Sequence, residues 1–190
     1  MRICLADKKD AVHIARIHLR EINQGFLSSL GEKFLIKLYE AMILSKNSFV
    51  VIAKKNNQII GFISGSVNAR KFYKYFLKKY FFQVLFVLLL KITNFKKIFE
   101  TLKYSRENQN LPQAELLSAA VKKEYQGKGV AQKIFRMFVQ EMQKQGIKKF
   151  KVVVGENLPR AVRFYEKVGF KYHASVSIHQ NKLSKIYIYG

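Results

Sequence analysis

The stretch AELLSAAVKKEYQGKGVA, from Ala114 to Ala131, decides the fold. Its first part, Ala114 to Val121, is a short apolar run that reads as a buried strand. Its last part sets Gly127 and Gly129 at the head of a helical pattern that runs to Lys144 and closes at Gly146. Strand, glycine-rich turn and helix, in that order, build an anion site. The first N–H groups of a helix lack intrahelical acceptors and carry a partial positive charge. Gly127 and Gly129 keep side chains away from that backbone, Ala131 stays small inside the first turn, and Lys128 adds a cation. A diphosphate is the natural guest. The spacing is not that of a P-loop, which needs four residues between its glycines and then Lys and Ser or Thr. Nor is it a dinucleotide fingerprint, which needs a third glycine and an acidic residue about 20 positions on.

Working outward, the spacing predicts an alternation of strands and helices. Arg2 to Ala6 reads as a strand, and Lys8 to Ile22 as a helix capped by Asp7. Ser28 to Leu44 reads as a second amphipathic helix. Ser48 to Lys54 and Gln58 to Val67 read as a hairpin turning at Asn56-Asn57, because Asn tolerates positive φ. Arg70 to Tyr104 reads as two aromatic, Lys-rich helices. Its apolar run from Tyr80 to Ile92 falls short of the roughly 20 residues that span a bilayer. Beyond the opening stretch come a strand from Lys149 to Val154, a helix from Leu158 to Val168 and two strands joined at Gln180-Asn181. This order predicts a mixed α/β, α+β-like sheet in a single domain, 1–190, with 70–104 as a helical insertion.

The 190 residues suffice for one core. Cys4 is the single cysteine, so the fold relies on no disulfide, and the N-terminus lacks the apolar core of a signal peptide; the expectation is a cytoplasmic protein. The formal charge is +23, and no acidic residue lies between Glu40 and Glu100. Such an excess fits an anionic substrate, nucleic acid or an acidic membrane, and equally a Lys-rich proteome. His13, His18, His173 and His179 show no metal spacing and read as surface residues.

The stretch Ala114–Ala131 resembles the acetyl-CoA-binding motif of the GNAT superfamily of N-acetyltransferases: Gln or Arg, two residues, Gly, any residue, then Gly or Ala. Gln126, Gly129 and Ala131 satisfy it. The segment NLPRAVRFYEKVGF, from Asn157 to Phe170, resembles the second family motif. The resemblance implies a central mixed sheet of about six to seven strands flanked by helices and splayed between two parallel strands. Acetyl-CoA would lie in the gap as co-substrate. Ala119, Ala120 and Val121 would pair with its pantetheine arm. Backbone amides of Gly127, Lys128, Gly129, Val130, Ala131 and Gln132 would hold its pyrophosphate, and Asn157 an amide. Tyr165 resembles the family's general acid, which protonates the departing thiolate. Glu115 is the candidate base for the incoming ammonium, on the strand where the histone-acetylating branch carries its glutamate. The branch that acetylates ribosomal protein N-termini places a glutamate where this chain has Val152.

The expected function is therefore acetyl transfer from acetyl-CoA to a primary amine, by direct attack through a tetrahedral intermediate, with no metal. Arg70, Lys71, Lys74, Lys78 and Lys79 suggest a small anionic acceptor such as an amino sugar. The alternatives are a protein N-acetyltransferase, or a non-catalytic basic module that binds nucleic acid or a partner. No helix-turn-helix, RNA-binding aromatic motif or zinc spacing supports the module. Peripheral membrane contact through 70–104, and a homodimer, are further options that the aromatic-basic insertion leaves open.

Overall fold

The computed structural model describes residues 1–23, 26–81, 111–178 and 182–190. Strand β1 (Arg2–Leu5) leads into a 3-10 turn, Lys8–Asp10, and helix α1 (Ala11–Glu21). Asp7 caps the turn in a reciprocal box with Asp10, as its type and position predict. The expected helix over 28–44 is two helices: a short α2 (Phe26–Ser29) and α3 (Glu32–Leu44). Gly31, at φ 89°, makes the break. A non-glycine residue there would be strained.

Strands β2 (Ser48–Lys55) and β3 (Gln58–Ser66) form the expected hairpin, with φ 49° at Asn56 and 61° at Asn57. Helix α4 (Ala69–Lys79) follows, its N-terminus capped by the Asn68 side chain. It is the start of the expected helical insertion; residues 82–104 lie outside the described residues. Strand β4 (Glu115–Val121), helix α5 (Val130–Lys144), strand β5 (Phe150–Gly155) and helix α6 (Pro159–Lys167) follow. Strands β6 (Lys171–Ile178) and β7 (Lys182–Tyr189) complete the order.

Among the described residues, seven strands form one sheet in the order β1-β2-β3-β4-β5-β7-β6. All neighbours are antiparallel except β4 and β5. Helices α1, α3 and α4 bury Ile14, Leu35, Leu38, Phe72 and Phe76 on one face, against Phe62. Helices α5 and α6 cover the other, where Phe135, Phe138, Phe150 and Phe170 make the core.

The parallel pair positions the site. It consists of two register positions, Glu115 with Lys151 and Leu116 with Val152. Beyond them β5 continues along β7 as far as Gly155 with Ser184, while β4 continues along β3. A bulge explains the parting. Ser64 faces Ser118 and Gly65 faces Leu116, so Leu117 is an extra residue on β4. A bulged strand bends, and here it bends directly after the last pair with β5. Gly65 lets α5 close on this point, because a Cβ there would sit 2.5 Å from the Phe138 ring and 3.0 Å from the Glu115 carbonyl oxygen.

Candidate active site

The loop after β4 starts with a 3-10 turn, Lys123–Tyr125. The Gln126 side chain then folds back and donates from Nε2 to the Val121 carbonyl at 2.9 Å. Gly127 and Gly129 both stand at φ 73°, and Gly129 is the residue before α5. Left-handed glycines at alternate positions are the backbone conformation of an anion-binding nest. None of the N–H groups from Gly127 through Gln132 donates to a described residue; the first intrahelical bond of α5 runs from Lys133 to Gly129. Lys55 and Lys128 lie 5.4 and 6.0 Å from the Tyr125 ring centre, so two cations flank the loop. A row of unpaired donors at the N-terminus of a four-turn helix is matched to a diphosphate.

The parting strands supply the second element. From Leu117 to Val121 the β4 edge facing β5 pairs with no described strand, so Ala119, Ala120 and Val121 offer backbone groups to an extended guest. The far wall ends at Gly155, where a Cβ would lie 2.8 Å from Asn157 Oδ1. Glycine there lets the exposed Asn157 carboxamide fold back over the end of β5.

Tyr165 comes from α6. Pro159, at the start of that helix, brings no N–H where none would be bonded. The Tyr165 ring packs edge-on against Phe164 and Phe170, with centroids 5.5 and 5.3 Å away, and the residue is 7% exposed. Its hydroxyl makes no hydrogen bond with a described residue, whereas burying an unpaired hydroxyl costs about 1–3 kcal/mol. Burial pushes its pKa above the usual phenol value, so it stays protonated and able to donate.

Glu115 lies at the closed end of the gap, on the sheet face covered by α4. Its carboxylate is 3.5 Å from Lys151 Nζ, which also donates to the Pro112 carbonyl at 2.6 Å. Burial raises the Glu115 pKa, and the Lys151 cation opposes that without cancelling it. The half-buried Tyr73 phenol of α4 is close enough to feel the carboxylate, which adds to the upward shift that burial gives it. Glu115 and Tyr165 thus sit on opposite faces of the sheet, with the opening between β4 and β5 separating them.

One cluster is not anticipated by the sequence reading. His18, expected at the surface, is 2% exposed, and its Nδ1 lies 2.6 Å from the Tyr39 hydroxyl. That bond ties α1 to α3, and the Ser64 hydroxyl donates to the Ser118 carbonyl at 3.4 Å, joining β3 to β4 beside the bulge. Burial lowers the His18 pKa to about 4, so the ring is neutral. The signal was present: His18 continues the stripe of Ala11 and Ile14 at helical spacing.

Arg70, Lys71, Lys74, Lys78 and Lys79 are exposed on α4, while Tyr73 is half-buried and packs on the core of that face. Among the described residues, no helix is long and apolar enough to cross a membrane.

A family model described as Acetyltransferase (GNAT) family matches residues 17–170. No curated protein matches the chain in sequence. Solved structures share the fold at low identity. An Escherichia coli N-acetyltransferase that acts on an alanine of a ribosomal protein is 13% identical, over 99% of this chain and 92% of that one, with a TM-score of 0.63. YncA from Salmonella typhimurium, solved with its cofactor acetyl-CoA, is 17% identical, over 99% and 92%, with a TM-score of 0.64. An acetyltransferase from Thermus thermophilus is 12% identical, over 99% and 96%, with a TM-score of 0.59.

Proposed function

We propose, since the chain belongs to the GNAT acetyltransferase family, that it moves an acetyl group from acetyl-CoA to a primary amine. The observation that carries this reading is the row of unpaired amides from Gly127 to Gln132, set beside the opening between β4 and β5. Together they match a diphosphate joined to an extended amide-bearing arm, which is the shape of coenzyme A.

The acetyl thioester supplies the electrophile. Glu115 is the proton acceptor for the ammonium: burial holds its pKa up, which suits a base near neutrality. Tyr165 is the proton donor to the sulfur, from the other face of the sheet. The two proton transfers therefore do not compete for one space. Asn157 binds an amide at the mouth of the gap.

The acceptor is a small molecule carrying negative charge, such as an amino sugar bearing an anionic group. The support is the exposed basic face of α4 together with the net charge of +23. These lysines act by drawing an anion toward the site rather than by touching it. A thiol-release assay with acetyl-CoA and a panel of amines tests both levels. Release with no amine in the panel argues against amine acetylation. Preference for polyamines or basic peptides over anionic amines overturns the acceptor class alone.

A further inference from the structure

Glu21 is the last residue of α1, a hundred positions from the phosphate loop in sequence, yet its carboxylate is built into that loop. The Lys123 N–H donates to Oε1 at 3.3 Å and the Gln126 amide donates to Oε2 at 3.3 Å. The same Gln126 nitrogen donates to the Val121 carbonyl at 2.9 Å. Arg20 Nε stands 3.6 Å from Oε1, and the Glu21 side chain is 9% exposed although that of Arg20 is 68% exposed. A carboxylate is thus held, nearly buried, beside a site whose chemistry calls for an anion.

Two physical consequences oppose each other. As a charge, Glu21 repels a diphosphate and weakens its binding. As a double acceptor, it fixes both the start of the loop and the side chain that folds the loop back onto β4. Without it Gln126 keeps a single bond, and the glycines that follow are free to swing their N–H groups out of line. Donors aimed in advance bind more tightly, because ordering them on binding is costly.

We propose that Glu21 is a positioning residue for the diphosphate of acetyl-CoA, its geometric role outweighing its charge. This rests on the reading of Gly127–Gln132 as the diphosphate site. It also makes the end of α1 part of the cofactor site, so that a displacement of α1 reaches the loop through one side chain.

The test is a ratio: the Kd of acetyl-pantetheine, which lacks the diphosphate, divided by the Kd of acetyl-CoA, by calorimetry. Glu21→Ala is expected to lower this ratio about tenfold, the loss of roughly one charge-assisted hydrogen bond, with the acetyl-pantetheine Kd unchanged. Glu21→Gln keeps one acceptor oxygen and removes the charge, and its ratio is expected between wild type and Glu21→Ala. It also carries the test if Glu21→Ala does not fold. A raised ratio in the Gln variant, as a charge-only role requires, overturns the proposal. Gly127→Asp, which places a carboxylate on the loop at a left-handed position that Asp adopts more readily than most residues, reports on the underlying reading. If Gly127→Asp lowers the ratio and the Glu21 variants do not, Glu21 has no positioning role and the loop reading stands. If Gly127→Asp leaves the ratio at the wild-type value, the loop reading falls and the proposal falls with it.

Discussion

Replacing His18 by Asn should remove a large part of the protein's sensitivity to mild acid. The ring is 2% exposed, stacked on Phe62 at 6.3 Å and bonded through Nδ1 to Tyr39 at 2.6 Å. Burial lowers its pKa from 6.5 to about 4. Above pH 6.5 the histidine is neutral in folded and unfolded chains alike, and its contribution is fully present. As the pH falls below 6.5 the unfolded chain takes up a proton that the folded chain refuses. Stability is lost until the pH reaches the folded value near 4. At 1.36 kcal/mol per unit, that interval amounts to about 3 kcal/mol. With so little exposure there is no solvent screening to discount. Asn places an amide near the Nδ1 position, keeps a bond to Tyr39 and does not titrate. Urea denaturation at pH 7, 6, 5 and 4 should show the wild type losing about 3 kcal/mol more than His18→Asn. Parallel pH profiles for the two proteins would refute the reasoning, because the histidine would then not be the group that resists protonation.

Other outcomes follow from the same geometry. Tyr165→Phe keeps the ring packed on Phe164 and Phe170; it should lower kcat about 100-fold and leave the acetyl-CoA Kd unchanged. An unchanged kcat would take Tyr165 out of the chemistry. Wild-type kcat/KM should fall on the acid side through a pKa above the ordinary carboxylate value, the raised value of Glu115. Glu115→Gln should abolish that limb, and a surviving limb would mean another base. Gly65→Ala drives a Cβ into the Phe138 ring and against the Glu115 carbonyl; thermal denaturation should show a loss of about 1–3 kcal/mol.

How much of this was legible depended on how local each feature is. The diphosphate loop was readable because glycines, small residue and helix start lie within six positions, and the physics of a helix N-terminus needs no tertiary information. The Asp7 cap and the Asn56-Asn57 turn were readable for the same reason. The helix over 28–44 was read as continuous because Leu30 belongs to an apolar stripe on both sides of Gly31. There the positive φ of one glycine outweighed the periodicity. The pairing of Glu115 with Lys151 depends on the register of two strands some thirty-five residues apart, which no local pattern contains. Glu21 was invisible for a similar reason, since its partners lie 102 and 105 positions further along the chain. The basic residues of α4 were legible as an exposed charged face, because helical spacing alone sets Phe72 and Phe76 inside and the lysines outside.

Acetyl transfer by this protein requires acetyl-CoA in the space between β4 and β5 with its diphosphate on the loop. Hydrogen–deuterium exchange with and without saturating acetyl-CoA tests this directly. New protection is expected in two segments, 117–121 on the β4 edge and 127–132 at the start of α5. Exchange there that is unchanged by acetyl-CoA, or protection appearing only elsewhere, would contradict it.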